Sequence, residues 1–173
     1  MQSISTFPPY LSLSVWLPIL CGVIDDRSRL ACHLQWYLAE NAENIAHGLA
    51  QAFQKRGLPR AVLCDNGAAM TATEITQGLA RLGILHQTTA PYAPHANGKV
   101  ETLWGPVEGR LMAMLEHVPD LTLARLNEAT QAWVEQDYNA RHHSEIEETP
   151  IARFLAGPSV ARDCPDSNTL RLA

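Results

Sequence analysis

Before Asp25 the chain carries neither aspartate nor glutamate, and its first basic residue is Arg27. The missing basic n-region argues against a secretory signal, and with no export signal the expected compartment is the cytoplasm. The four cysteines, Cys21, Cys32, Cys64 and Cys164, form no C-x-x-C pair and no zinc-ligand spacing. A disulfide framework and a zinc module are both excluded on that ground, and the cysteines read as small core residues in a reducing compartment. Long apolar runs are lacking too: the longest, Leu11 to Ile24, is about fourteen residues, is broken by Ser12, Ser14 and Pro18, and is too short to span a bilayer. Positive charge is scarce, with 13 Lys and Arg against 18 Asp and Glu and a formal net charge of -5. No bulk field draws this chain to a polyanion, so any such partner must be held locally. What is present is a composition of 46% hydrophobic and 18% charged residues over 173 positions. That suits one well-buried domain and excludes a disordered or collagen-like chain.

Apolar stretches at Trp16 to Ile24 and Leu30 to Leu38 flank the polar turn Asp25-Asp26-Arg27-Ser28-Arg29, which is a hairpin signal. Ile45, Leu49 and Phe53 recur at i+4 steps between Asn41, a cap residue, and Gly57, a stop, and predict an amphipathic helix. Ala61-Val62-Leu63-Cys64 then reads as a buried parallel strand running into the turn Asp65-Asn66-Gly67. A helix over Thr73 to Leu82 and a strand over Ile84 to Thr88 complete a βαβ unit. Two prolines and an Asn-Gly pair make Ala90 to Gly98 an exposed loop. Helices follow from about Lys99 towards Glu116 and from Leu121 to Arg141, while the residues after Gly157 are polar, rich in breakers and read as a disordered tail.

Asp65 closes a predicted strand and Glu101 lies in the first turn of a predicted helix, with 35 residues between them. Open α/β folds place ligands at strand carboxyl ends, and Mg²⁺ favours oxygen ligands from one or two carboxylates together with substrate phosphates. The pair is therefore a candidate half-site for a hard divalent cation. Each acid also has a structural reading, Asp65 as a turn residue and Glu101 as a partner of the helix dipole.

Further residues in order make the stretch from about Gly22 to Leu155 specific. They are Val23-Ile24-Asp25-Asp26-Arg27-Ser28-Arg29, Leu63-Cys64-Asp65-Asn66-Gly67, Pro94-His95-Ala96-Asn97-Gly98-Lys99-Val100-Glu101, Trp133 with Tyr138-Asn139-Ala140-Arg141-His142, and Thr149-Pro150 followed by Phe154. This pattern resembles the catalytic core of DDE-type recombinases, the retroviral-integrase-like transposases of bacterial insertion sequences. The resemblance implies an α/β fold, a ribonuclease-H-like mixed sheet flanked by helices, here with its first strand atypical or missing. It further implies that Asp65 and Glu101 are the second and third catalytic, metal-binding acids, holding Mg²⁺ or Mn²⁺ in a two-metal site for phosphodiester cleavage and strand transfer. Asn66, His95, Asn97, Gly98 and Lys99 are the implied DNA-binding residues, Asn66 and Gly67 are implied to shape the turn beneath the site, and the loop from Pro91 to Gly98 corresponds to a flexible active-site loop. DNA is the implied partner, together with further copies of the chain or intact transposase subunits.

The chain departs from the family in two places. The family's first acid lies on the first strand, upstream of the Asp-Asp-x-Ser-Arg turn, where this chain has no acid; Asp25 and Asp26 read as turn residues instead. Residues 1–15 accordingly form an atypical leader, read as a replaced or frame-shifted start, ahead of a core over 16–156 and the tail over 157–173. On the glutamate helix, where relatives carry basic residues, this chain has Thr102, Gly105 and Glu108, with Lys99 and Arg110 the nearby cations, and Pro106 is expected to kink the helix. The expectation is an integrase or transposase core of impaired activity. The alternatives are a non-catalytic remnant that binds transposase subunits or DNA, and an unrelated α/β protein. The remaining histidines read as core, cap or surface residues, Trp36, Trp104 and Trp133 as packing residues, and Met112 and Met114 as core filler.

Overall fold

The computed structural model describes residues 2–7, 18–89, 98–158 and 161–172, with backbone alone for 2–7, 98–101 and 171–172. The predicted hairpin is present as β2 (Ile19–Asp25) and β3 (Ala31–Tyr37), paired antiparallel from Ile19↔Tyr37 to Ile24↔Ala31. Its turn closes through Asp25, whose Oδ2 accepts from Ser28 N at 2.9 Å and Ser28 Oγ at 2.6 Å. Asp25 is thus a turn acid, as its sequence setting implies. Arg29, with φ of 62°, pairs with Glu145 at 2.7 Å and donates to the Asp26 carbonyl, so this turn is strapped to the C-terminal half of the chain.

The first strand is there. β1 (Gln2–Phe7) pairs antiparallel with β2, from Gln2↔Asp25 to Phe7↔Leu20, and parallel with β4 (Ala61–Cys64), from Gln2↔Val62 to Ile4↔Cys64. Residues assigned to an atypical leader therefore form the middle strand of the sheet, and what is atypical about it is the absence of any acid. With β5 (Leu85–Thr88) parallel to β4, the order is β3-β2-β1-β4-β5, a mixed five-stranded sheet.

Strand alternation sorts the core into two layers. Cys21, Val23, Cys32, Val62 and Cys64 face α1 (Ala42–Arg56) and α2 (Thr73–Arg81), packing on Ile45, Leu49, Phe53, Ile75 and Leu79. Leu20 and Ile24 alternate with these on β2, and a register shift at Val23/Ile24 puts Leu34 and Trp36 of β3 on the same side, where all four pack on Leu103, Val107, Leu111, Leu126 and Trp133. Helix α1 begins where Asn41 Oδ1 accepts from Asn44 N at 2.9 Å and ends at Gly57, φ 82°, where an added Cβ would lie 2.9 Å from the Arg162 carbonyl. Burial pushes the Cys21 and Cys64 thiols up to about 12, and none of the four cysteines is in a disulfide. Cys21, Cys32 and Cys64 are buried core residues, as expected, and Cys164 is half-buried against the core.

The opposite layer is a long helix followed by a return. α3 (Gly98–Pro106) continues into wide i→i+5 turns over Val107–Met112 and then α4 (Ala113–Leu115). The expected disturbance at Pro106 is real, but it appears as a widening of the turns directly after the proline, which has no N–H to complete the regular ladder. α5 (Leu123–Trp133), capped by Thr122, likewise widens over Val134–Tyr138, and α6 (Pro150–Leu155) follows. Met112 packs on this layer, whereas Met114 is 63% exposed and is not a core residue.

The tail departs from its expected disorder. Leu58 and Arg162 exchange backbone hydrogen bonds at 2.8 and 3.0 Å, and the Arg162 guanidinium donates to the carbonyls of Leu82 and Gly83. Cys164 and Leu170 pack against the α1 layer, the latter from α7 (Ser167–Leu172). The signal missed in the sequence is a cation placed to satisfy the open carbonyls after α2.

Candidate active site

β3, β1, β4 and β5 run parallel to one another, so their carboxyl ends share one rim of the sheet. Asp65 follows β4 on this rim and is half-buried. Its Oδ1 accepts from Gly67 N at 2.9 Å, which turns the chain sharply, and Met70 N and Thr71 N both close onto the Gly67 carbonyl. A Cβ on Gly67 would sit 3.0 Å from Asp65 Oδ1 and 3.4 Å from Glu40 Oε1. The glycine thus leaves room for two carboxylates to approach one point. Glu40 was missed in the sequence; the signal for it is an acid just after β3, whose carboxyl end lies on the same rim.

Asn66 is exposed, and its Nδ2 donates to the Thr89 carbonyl at 2.7 Å. Thr89 N donates in turn to the Cys64 carbonyl at 3.0 Å. The turn carrying Asp65 is therefore tied to the exit of β5. Among the described residues, Asp65 Oδ2 accepts no hydrogen bond, so one carboxylate oxygen is held by the turn and the other is left for a ligand.

Glu101 lies in the first turn of α3, and α3 packs against β1, the strand that pairs with β4. The two acids thus sit on elements that both border β1. Gly98 and Lys99 open the same helix. His95 and Asn97, with the rest of the loop expected over Pro91 to Gly98 up to its last residue, lie outside the described residues. β1 itself offers Gln2, Ser3, Ile4, Ser5, Thr6 and Phe7 along its length. Among the described residues no group of three or more His, Cys, Asp or Glu is arranged to hold a metal ion.

Of the helix cations, Arg110 is engaged inside the protein. Arg110 Nη1 bonds Asp137 Oδ2 at 2.6 Å, and its guanidinium lies 5.4 Å from the Trp133 ring centroid. Asp137 also takes Arg141 at 2.6 Å. Arg110 therefore braces the long helix against the widened end of α5, while Glu108 is exposed. No described helix is long and apolar enough to cross a membrane.

The family model described as "Integrase core domain" matches residues 11–94. The transposase for transposon Tn552 of Staphylococcus aureus is 27% identical over a match covering 80% of this chain and 32% of that protein. The insertion element IS476 uncharacterized 39.2 kDa protein of Xanthomonas euvesicatoria is 28% identical, covering 78% of this chain and 38% of that protein. The chain spans about a third of the length of these relatives. Among solved structures, a simian T-cell lymphotropic virus intasome in complex with PP2A regulatory subunit B56 gamma contains a chain that superposes with a TM-score of 0.78 at 19% identity, over 96% of this chain and 57% of that one. The HTLV-2 integrase catalytic core in complex with magnesium, in its trimeric form, gives 0.70 at 18% identity over 88% of this chain and 94% of that one. The BIV integrase catalytic core gives 0.67 at 24% over 89% and 92%. The fold is that of a retroviral integrase catalytic core, a ribonuclease-H-like mixed sheet flanked by helices.

Proposed function

We propose that this chain is an integrase/transposase catalytic core, the DNA-handling domain of a mobile-element recombinase whose metal-dependent phosphodiester chemistry is depressed, a reading supported by the matched family model and relatives. In this reading Asp65 and Glu101 are the second and third acids, Mg²⁺ or Mn²⁺ is the cofactor and element-end DNA the substrate. Lys99 meets a phosphate at the head of the glutamate helix, with Gly98 allowing close backbone approach; His95 and Asn97 contact the DNA beside them. The carrying observation is Asp65 at the carboxyl end of β4, one oxygen fixed by Gly67 N and the other open, beside a β1 that contains no acid.

The donor set decides what the site can do. A bridged pair of ions needs a carboxylate from the strand beside Asp65, and β1 supplies hydroxyls and apolar side-chain types there. The residues therefore do not fit a two-ion centre; one hard cation held by Asp65 and Glu101 is what their chemistry allows. A single ion still neutralises phosphate charge and positions the backbone, which supports DNA engagement better than turnover.

Purified chain incubated with element-end duplex and Mg²⁺ or Mn²⁺ is expected to give neither cleavage nor strand transfer. Robust turnover abolished by Glu101→Gln would overturn the depressed-activity reading. The acid-free β1 also favours a second reading, a non-catalytic subunit that assembles with intact transposase. Mixed oligomers formed without measurable metal affinity select it, and a strictly monomeric chain that binds Mn²⁺ through Asp65 rejects it.

A further inference from the structure

Asp65 is bracketed by its two neighbours. The Cys64 carbonyl accepts from Thr89 N at 3.0 Å, and Asn66 Nδ2 donates to the Thr89 carbonyl at 2.7 Å. The β4–β5 ladder ends at Cys64↔Thr88, so the residues on either side of Asp65 hold Thr89, just after β5, by both its N–H and its carbonyl. Asn66 does this with a side chain. Its backbone is thereby released from the ladder and turns, which lets Gly67 N reach back to Asp65 Oδ1. A carboxamide is needed because it donates: aspartate would face a carbonyl with a negative oxygen, and serine is too short to span the gap.

We propose that Asn66 is a positioning residue for Asp65. By clamping the buried Thr89 peptide it fixes the turn against β5 and so holds Asp65 Oδ2 in the orientation a divalent cation requires. One amide N–H is engaged inside the protein, so Asn66 acts on the site through the turn, besides any direct DNA contact that the family resemblance implies. The inference rests on the reading of Asp65 as a metal-binding acid.

The test measures Mn²⁺ affinity and the Mn²⁺ spectroscopic line shape of the full chain by electron paramagnetic resonance, with hydrogen exchange at the Gly67 amide and thermal unfolding measured alongside. Asn66→Ala is expected to weaken Mn²⁺ roughly 10–100-fold, the usual effect of removing a group that orients a ligand. It should also speed exchange at Gly67 while the chain stays folded. Asn66→Gln, which keeps a donor on a longer arm, should recover part of the affinity. Should the alanine variant not fold, Asn66→Ser is expected to lose the same affinity. Wild-type affinity in Asn66→Ala or Asn66→Ser, with binding abolished by Asp65→Asn, overturns the positioning role alone. Unchanged binding in Asp65→Asn overturns the metal-site reading beneath it.

Discussion

The two edges of the sheet are finished in opposite ways. Along β3, side chains replace the missing neighbour strand: Asn139 accepts from Ala31 N at 2.9 Å and donates to the Ala31 carbonyl at 3.1 Å, Asn127 does the same for Trp36 at 2.7 and 3.1 Å, and Gln131 donates to the Leu34 carbonyl. All three carboxamides come from α5 and its widened end. β5 has no such cover described; Leu85 is 58% exposed and the rest of the strand, His86 to Thr88, is exposed or half-buried. An open edge invites pairing with another chain, and sealing one with carboxamides removes the template without burying charge. The rim bearing Asp65 lies nearer the unsealed side, so stability is concentrated at β3 and adaptability at β4 and β5.

Breaking the seal is expected to have the largest effect. Asn139→Ala removes a residue that is 1% exposed and orphans both backbone groups of Ala31, a loss of about 4 kcal/mol at 1–3 per group, read by urea unfolding. A loss no larger than that of an exposed substitution would end the comparison. Acid titrates the same side of the molecule. His33 on β3 is buried, and burial, then the nearby Lys55 charge, lowers its pKa from 6.5 to about 4. Because the unfolded chain binds the proton more readily, stability is complete above about pH 6.5 and declines as pH falls towards 4, by up to about 3 kcal/mol. Unfolding measured across that window should show a slope that His33→Gln abolishes. At the other side, Gly67→Ala presses a methyl on Asp65 Oδ1 and costs about 1 kcal/mol of stability. Its larger effect should be on Mn²⁺ affinity. Least of all, Leu85→Thr on the open edge should shift stability by less than about 0.5 kcal/mol. A greater loss would mean that β5 is covered after all.

Local chemistry made much of this legible in the sequence. The Asn41 cap, the Gly57 stop and the Asp65-Asn66-Gly67 turn are each specified by residues within a few positions of one another, and they stand where the sequence places them. β1 was not legible because Gln2–Phe7 is rich in hydroxyls and is a strand by virtue of pairing with both β2 and β4. Contacts across the chain were hidden for the same reason. Neither the clasp of Arg162 on Leu82 and Gly83 nor the approach of Glu40 to Gly67 leaves a periodic trace. The site was half legible: Asp65, its turn and the lack of an upstream acid follow from the sequence, whereas the placing of the acid-free residues as the strand beside β4 emerged only from strand register.

The widened turns after Pro106 have a geometric effect along the whole glutamate helix. Leu103, Val107 and Leu111 are all fully buried at a strict four-residue spacing. In a regular α-helix, at about 100° per residue, such a spacing swings about 40° around the axis with each step and would soon carry the stripe off the sheet. Looser winding offsets that precession between Val107 and Leu111. The stripe is thereby kept on the β-layer beyond the regular turns that carry Glu101.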